Sequence, residues 1–200
     1  MIGAAAAGFA LGASLIIAIG AQNAFILRMG LLRQHVFIVC LACASTDAIL
    51  IVLGVAGAGI FVEQFPGLLN AVKIAGALYL LGYAILSARR AFSPHTLRPD
   101  ESAPMSLNAA LAQCMAFTLL NPHVYLDTVM LIGAYSAGYE GAQRLLFTAG
   151  AVTASFIWFF GLGYGARLLT GLFARPMSWR ILDGAIALVM TVLALALLQA

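Results

Sequence analysis

The chain has 200 residues, 64% of them hydrophobic and 8% charged, with a mean hydropathy of +1.04. Soluble domains carry about 25% charged residues, so this composition excludes an ordinary globular protein. The net charge of +3 is spread along the chain and no basic cluster exceeds two adjacent arginines, which excludes a nucleic-acid footprint.

Six apolar runs follow in order, over residues 2–27, 36–60, 68–88, 107–133, 145–166 and 181–198. Crossing a bilayer takes about 20 residues, so each run is a candidate span. The first lacks a positive n-region and continues past signal-peptide length, which makes it a retained helix. The connection over 92–106 holds Pro94, Pro99, Pro104, Asp100 and Glu101 and reads as a cytoplasmic surface loop. It separates residues 1–91 from 107–200, three helices on each side. The predicted fold class is all-α, a polytopic membrane protein of six transmembrane helices.

Basic residues give an orientation. Connections one, three and five carry Arg28 and Arg33, then Arg89, Arg90 and Arg98, then Arg167, Arg175 and Arg180. The other face carries only Lys73 and Arg144, beside Glu63 and Glu140. The positive-inside rule makes the first set cytoplasmic and puts both termini outside. Were the first run not to span, the N-terminus would move inside. Three helices per half also means that the second half enters the membrane the other way up, as in inverted-repeat transporters. Gly20-Ala21-Gln22-Asn23 in the first run and Leu119-Leu120-Asn121-Pro122 in the fourth are the matching weak points. Each places an Asn beside a helix-weakening Gly or Pro.

The fourth run holds Asn121-Pro122-His123-Val124-Tyr125-Leu126-Asp127. Pro122 lacks an N–H and clashes with the preceding turn, so the helix is broken here. Hydrocarbon tolerates a break only where protein or a wet cavity satisfies the freed backbone groups. Asp127 follows closely. Asp47, behind Ser45 and Thr46, lies mid-way along the second run. An acid at this depth costs about 2.5–3.5 kcal/mol and is a functional candidate by default. Two such acids suit a cationic substrate, a proton relay, or both. Burial favours the neutral acid and a bound cation the ionised one, so cation and H⁺ compete for the same groups. His123 is spaced to meet Asp127 on one helix face, and histidine is the side-chain type suited to passing a proton at physiological pH. Gln22, Asn23 and Asn121 add neutral hydrogen-bonding groups, and N–H groups at a helix restart suit a carboxylate.

The remaining features have plainer readings. Cys40, Cys43 and Cys114 read as structural thiols, since the CxxC lies inside an apolar helix and the count is odd. Asp183 opens the sixth run as a helix cap or a partner for Arg180. Gly54, Gly57 and Ala58, and then Gly161 and Gly165, read as small-residue packing faces. Those faces allow a homodimer without choosing its interface. Trp158, Trp179, Tyr135 and Tyr139 read as interfacial anchors.

Four segments carry a resemblance. They are Ile19-Gly20-Ala21-Gln22-Asn23-Ala24-Phe25, Ser45-Thr46-Asp47-Ala48, Leu120-Asn121-Pro122-His123-Val124-Tyr125-Leu126-Asp127-Thr128, and Trp158-Phe159-Phe160-Gly161-Leu162-Gly163-Tyr164-Gly165. Together, and in this order, they resemble the LysE/ArgO family of bacterial inner-membrane exporters of lysine and arginine. The Asn-Pro pair is shared with exporters of neutral amino acids; the His-Val-Tyr-Leu-Asp continuation is similar to the basic-amino-acid branch. The resemblance implies that the family's intramembrane aspartate pair falls on Asp47 and Asp127, with Tyr125 in the same segment. It also implies export coupled to the proton-motive force, with a basic amino acid, protons and the lipid bilayer as partners and no cofactor. The alternatives are efflux of neutral amino acids or of a metal cation at His123, Asp127 and Cys114, and a thiol–disulfide carrier using the three cysteines.

Overall fold

A computed structural model describes residues 2–17, 20–57, 66–92 and 105–199. Among the described residues eight main helices follow in order: α1 (Ile2–Ile16), α2 (Ala21–Leu32), α3 (Val36–Val55), α4 (Pro66–Phe92), α5 (Leu107–Leu119), α6 (Pro122–Ser136), α7 (Gly141–Gly165) and α8 (Pro176–Gln199). No strand occurs among the described residues. Four helices are long and apolar enough to cross a membrane by themselves, and α1–α2 and α5–α6 qualify as bent pairs, giving up to six spans. The bends are 84° and 62°. Both fall where the sequence is weakest, at Gly20 and at Asn121-Pro122. The run predicted over 2–27 is therefore two helices, and the second continues to Leu32. Most of the connection over 92–106 lies outside the described residues, as do Ala58 and Glu63.

Apolar side chains cover the outside as well as the core. Ile49, Ile157 and Leu188 are 60%, 59% and 66% exposed. A helix apolar all round belongs in hydrocarbon or in a large core. Inside, small residues let backbones touch. Ala4, Gly8 and Gly12 line the buried side of α1 at four-residue spacing. A Cβ on Gly8 would strike the Phe147 carbonyl of α7, and one on Gly150 the Ala5 carbonyl of α1. α4 packs along α8, and α3 lies between α7 and α6.

The approach of α3 to α6 positions the site. A Cβ on Gly54 would lie 2.6 Å from the carbonyl oxygens of both Thr128 and Val129. Asp47 is two helical turns before Gly54 on the same face, and Asp127 immediately precedes Thr128. One backbone contact thus draws both acids to one wall. Gly161 and Gly165, predicted to pack, face open space instead; Gly163 between them presses on the Cys40 sulfur, where a Cβ would lie 2.5 Å away. Helical phase decides this, because residues two apart point to opposite sides of a helix. Gly57 likewise meets nothing and takes a left-handed φ of +99° beyond the end of α3.

Gly54→Leu should force α3 and α6 apart. Overpacking of this kind costs about 1–3 kcal/mol, which should appear as a lower melting temperature in detergent. Gly161→Ala, on an open face, should leave it unchanged.

Candidate functional site

Each bend frees main-chain groups that must find partners. Pro122 has no N–H, so the Thr118 carbonyl takes the Asn121 N–H instead, at 3.4 Å. The His123 N–H turns to Asn121 Oδ1 at 3.1 Å, the side-chain cap that starts α6. That leaves the Leu119 carbonyl, which accepts the Tyr125 hydroxyl at 2.8 Å. The first bend is closed in the same way: Asn23 Nδ2 reaches back seven residues to the Ile16 carbonyl at 2.8 Å. Its Oδ1 accepts Trp158 Nε1 at 3.2 Å, tying the bend to α7. Beyond Val124, α6 widens into a π-helical stretch over Tyr125–Leu131. Single π-turns of this sort are frequent at functional sites.

Between the two bends lies a cavity of about 300 Å³. Its walls include Gln22 and Asn23 after the first bend, Asn121, His123 and Asp127 after the second, Asp47 from α3 and Tyr79 from α4. Residues a hundred positions apart in sequence thus share one space, and it contains six of the seven predicted site residues. Tyr125 is the exception. It does not line the cavity, and its hydroxyl serves the Leu119 carbonyl. Asn23 lines the cavity, but both ends of its amide are engaged within the protein.

The acids are held differently. Asp47 is 3% exposed and accepts the Ser155 hydroxyl at 3.2 Å. Asp127 is partly buried and forms no ion pair among the described residues. Neither carboxylate is paired to an arginine among the described residues. The ion pairs among the described residues belong to Asp183, which takes Arg28 Nη1 and Arg90 Nε, the latter at 3.1 Å. Arg90 also donates to Ser87 at 2.7 Å. Asp183 therefore joins α2, α4 and α8 and is not Arg180's partner. Sequence spacing favoured Arg180, three residues away, but Arg28 and Arg90 reach the carboxylate across the bundle. Ser155 and Tyr79 were also missed; each sits in an apolar helix with no local signal.

Trp158 and Trp179 are not free interfacial anchors: Trp158 serves the first bend and Trp179 Nε1 donates to the Phe173 carbonyl at 2.9 Å. The three cysteines are buried thiols, and Cys40 bonds the Phe159 carbonyl at 3.2 Å. Among the described residues no three His, Cys, Asp or Glu groups converge as a metal site.

The family profile for the LysE type translocator matches residues 13–200. This chain belongs to the LysE family. A Mycobacterium tuberculosis chain named for amino-acid transport is 44% identical over 185 residues, 92% of each chain. The arginine exporter protein ArgO of Pectobacterium carotovorum is 37% identical over 191 residues, 95% of this chain and 94% of that one. An Aeromonas salmonicida chain, also named for amino-acid transport, is 39% identical over 191 residues, 95% of this chain and 93% of that one. No solved structure matches. Family membership and the apolar helices make this LysE-family chain a multi-pass transporter of the bacterial inner membrane.

Tyr125→Phe should remove the hydroxyl that the Leu119 carbonyl accepts at an exposed part of the bend, at a cost of about 0.5–1.5 kcal/mol. The expected result is a lower melting temperature in detergent with substrate affinity retained. A loss of affinity without loss of stability would return Tyr125 to the binding residues.

Proposed function

We propose that this protein exports basic L-amino acids, L-arginine and/or L-lysine, from the cytoplasm in exchange for protons. The observation that carries the reading is a pair of carboxylates, Asp47 and Asp127, on one cavity and without an arginine partner among the described residues. A buried acid whose positive partner is not part of the protein suits a positive substrate that comes and goes. When it leaves, H⁺ neutralises the acids. The relatives named for arginine export add support.

The directional elements follow. Connections one, three and five face the cytoplasm and both termini the periplasm. The halves over 1–91 and 107–200 form two inverted repeats, each opening with a broken helix. The packing supports this: exchanging the halves carries the α1–α7 contact into that of α5–α6 with α3, and α3–α7 and α4–α8 into themselves. His123 relays protons to Asp127. The Asp183 cluster closes the end of the bundle bearing most of the arginines. Arg28 is five residues beyond Asn23 on α2, and Arg90 eleven beyond Tyr79 on α4. Moving one charge out against an inside-negative potential costs about 2.3 kcal/mol per 100 mV. Exchange for one H⁺ cancels that cost, and exchange for two makes the potential a driving force.

The test is efflux from cells preloaded with labelled arginine, lysine and leucine in parallel. Wild type should release the two basic amino acids and retain leucine. Asp47→Asn and Asp127→Asn should each reduce efflux to background at normal membrane abundance. Wild-type efflux from either variant removes the assigned role, and release of leucine alone removes the basic substrate.

A further inference from the structure

Two polar atoms on residues that line the cavity belong neither to the acids nor to the closure of the bends. The Gln22 amide nitrogen and the Tyr79 hydroxyl are both out of contact with solvent and have no hydrogen-bond partner. Both residues line the cavity that holds Asp47 and Asp127. A buried donor left unpaired costs about 1–3 kcal/mol, and native proteins leave few of them. Two on one small cavity call for a common acceptor.

Their setting gives its charge. Gln22 stands in the first turn of α2, a twelve-residue helix whose N-cap residue, Gly20, has no side chain to engage the leading N–H groups. The positive end of that helix favours an anion. The Cys43 thiol beside Gln22 is only a weak acceptor. Tyr79 comes from α4, its ring edge-on to Phe117 at 5.2 Å, and Phe117 is braced in turn by Tyr83 at 4.8 Å. The tyrosine is thereby held in place by packing. Of the other amides, Asn23 is engaged at both ends, and Asn121 uses its Oδ1 to cap α6. Ionised Asp47 and Asp127 are acceptors and repel an anion. The cavity is therefore polarised, with acceptors contributed by α3 and α6 and buried donors by α2 and α4.

We propose that Tyr79, with Gln22, holds the α-carboxylate of the transported amino acid. This rests on the export reading above and adds a binding residue to it. The carboxylate is common to all amino acids, so this end selects amino acids over amines, while the two aspartates select by side-chain charge. Tyr79 is a binding residue here, and the contact is lost only with its hydroxyl.

The experiment uses the purified full-length protein in proteoliposomes, with labelled arginine efflux competed by arginine and by agmatine, its decarboxylated form. Tyr79→Phe should weaken competition by arginine about tenfold and leave agmatine unchanged, and Gln22→Leu should do the same. Retained arginine affinity in Tyr79→Phe overturns the proposal, as does an equal loss for both competitors. Should agmatine not bind even the wild type, every amino acid that the wild type exports is compared instead. A common factor of loss supports carboxylate binding, and loss confined to one side chain overturns it. A wild type that moves no amino acid sinks the export reading itself, and this inference with it; a defect in the variants alone leaves that reading standing.

Discussion

A helix broken inside hydrocarbon leaves main-chain carbonyls with neither a helical partner nor water. In this protein both bends meet that constraint with a side chain from the segment just beyond the break. Asn23 returns to the Ile16 carbonyl and Tyr125 to the Leu119 carbonyl. Each closure holds two half-helices at a steep angle, and between the two angles a cavity opens. The polar site exists because the helices are bent, and they stay bent because those carbonyls are satisfied.

The treatment of negative charge differs across the bundle. Asp183 is shared between Arg28 and Arg90 and fixes three helices to one another. Among the described residues Asp47 has only a hydroxyl partner, and Asp127 enters no ion pair. A compensated acid of the first kind is structural. An uncompensated one in a cavity suits an exchange of positive partners, and the family to which the chain belongs gives that exchange a cargo class. Gln22 of α2 and Tyr79 of α4, which line the same cavity, each hold an unpaired donor, and on the proposed reading these would answer the negative end of a zwitterion.

Much of this was legible in the residues. Pro122 cannot continue a helix, and Asp47 and Asp127 stand out because hydrocarbon tolerates few charges. Gly20 marked the first bend less strongly, since glycine permits a bend without requiring one. Tyr79 and Ser155 gave no signal, because a hydroxyl within an apolar helix is compatible with any orientation. The hydrogen-bond partners of Asn23 and Tyr125 were hidden for a related reason. Residue type showed that they make hydrogen bonds, whereas their partners depend on which carbonyls the bends expose. Asp183 read as a helix cap or a partner of Arg180 because sequence offers near neighbours first.

The sequence by itself determined the membrane setting, the two weak points and the two candidate acids, since each follows from the cost of placing a residue in hydrocarbon. Only the tertiary structure decided that Gly54 lets α3 touch α6, that the weak points from the two halves enclose one space, and which polar atoms remain free in it. Those outcomes depend on helical phase and on contacts between residues a hundred positions apart, and local chemistry along a chain does not specify either.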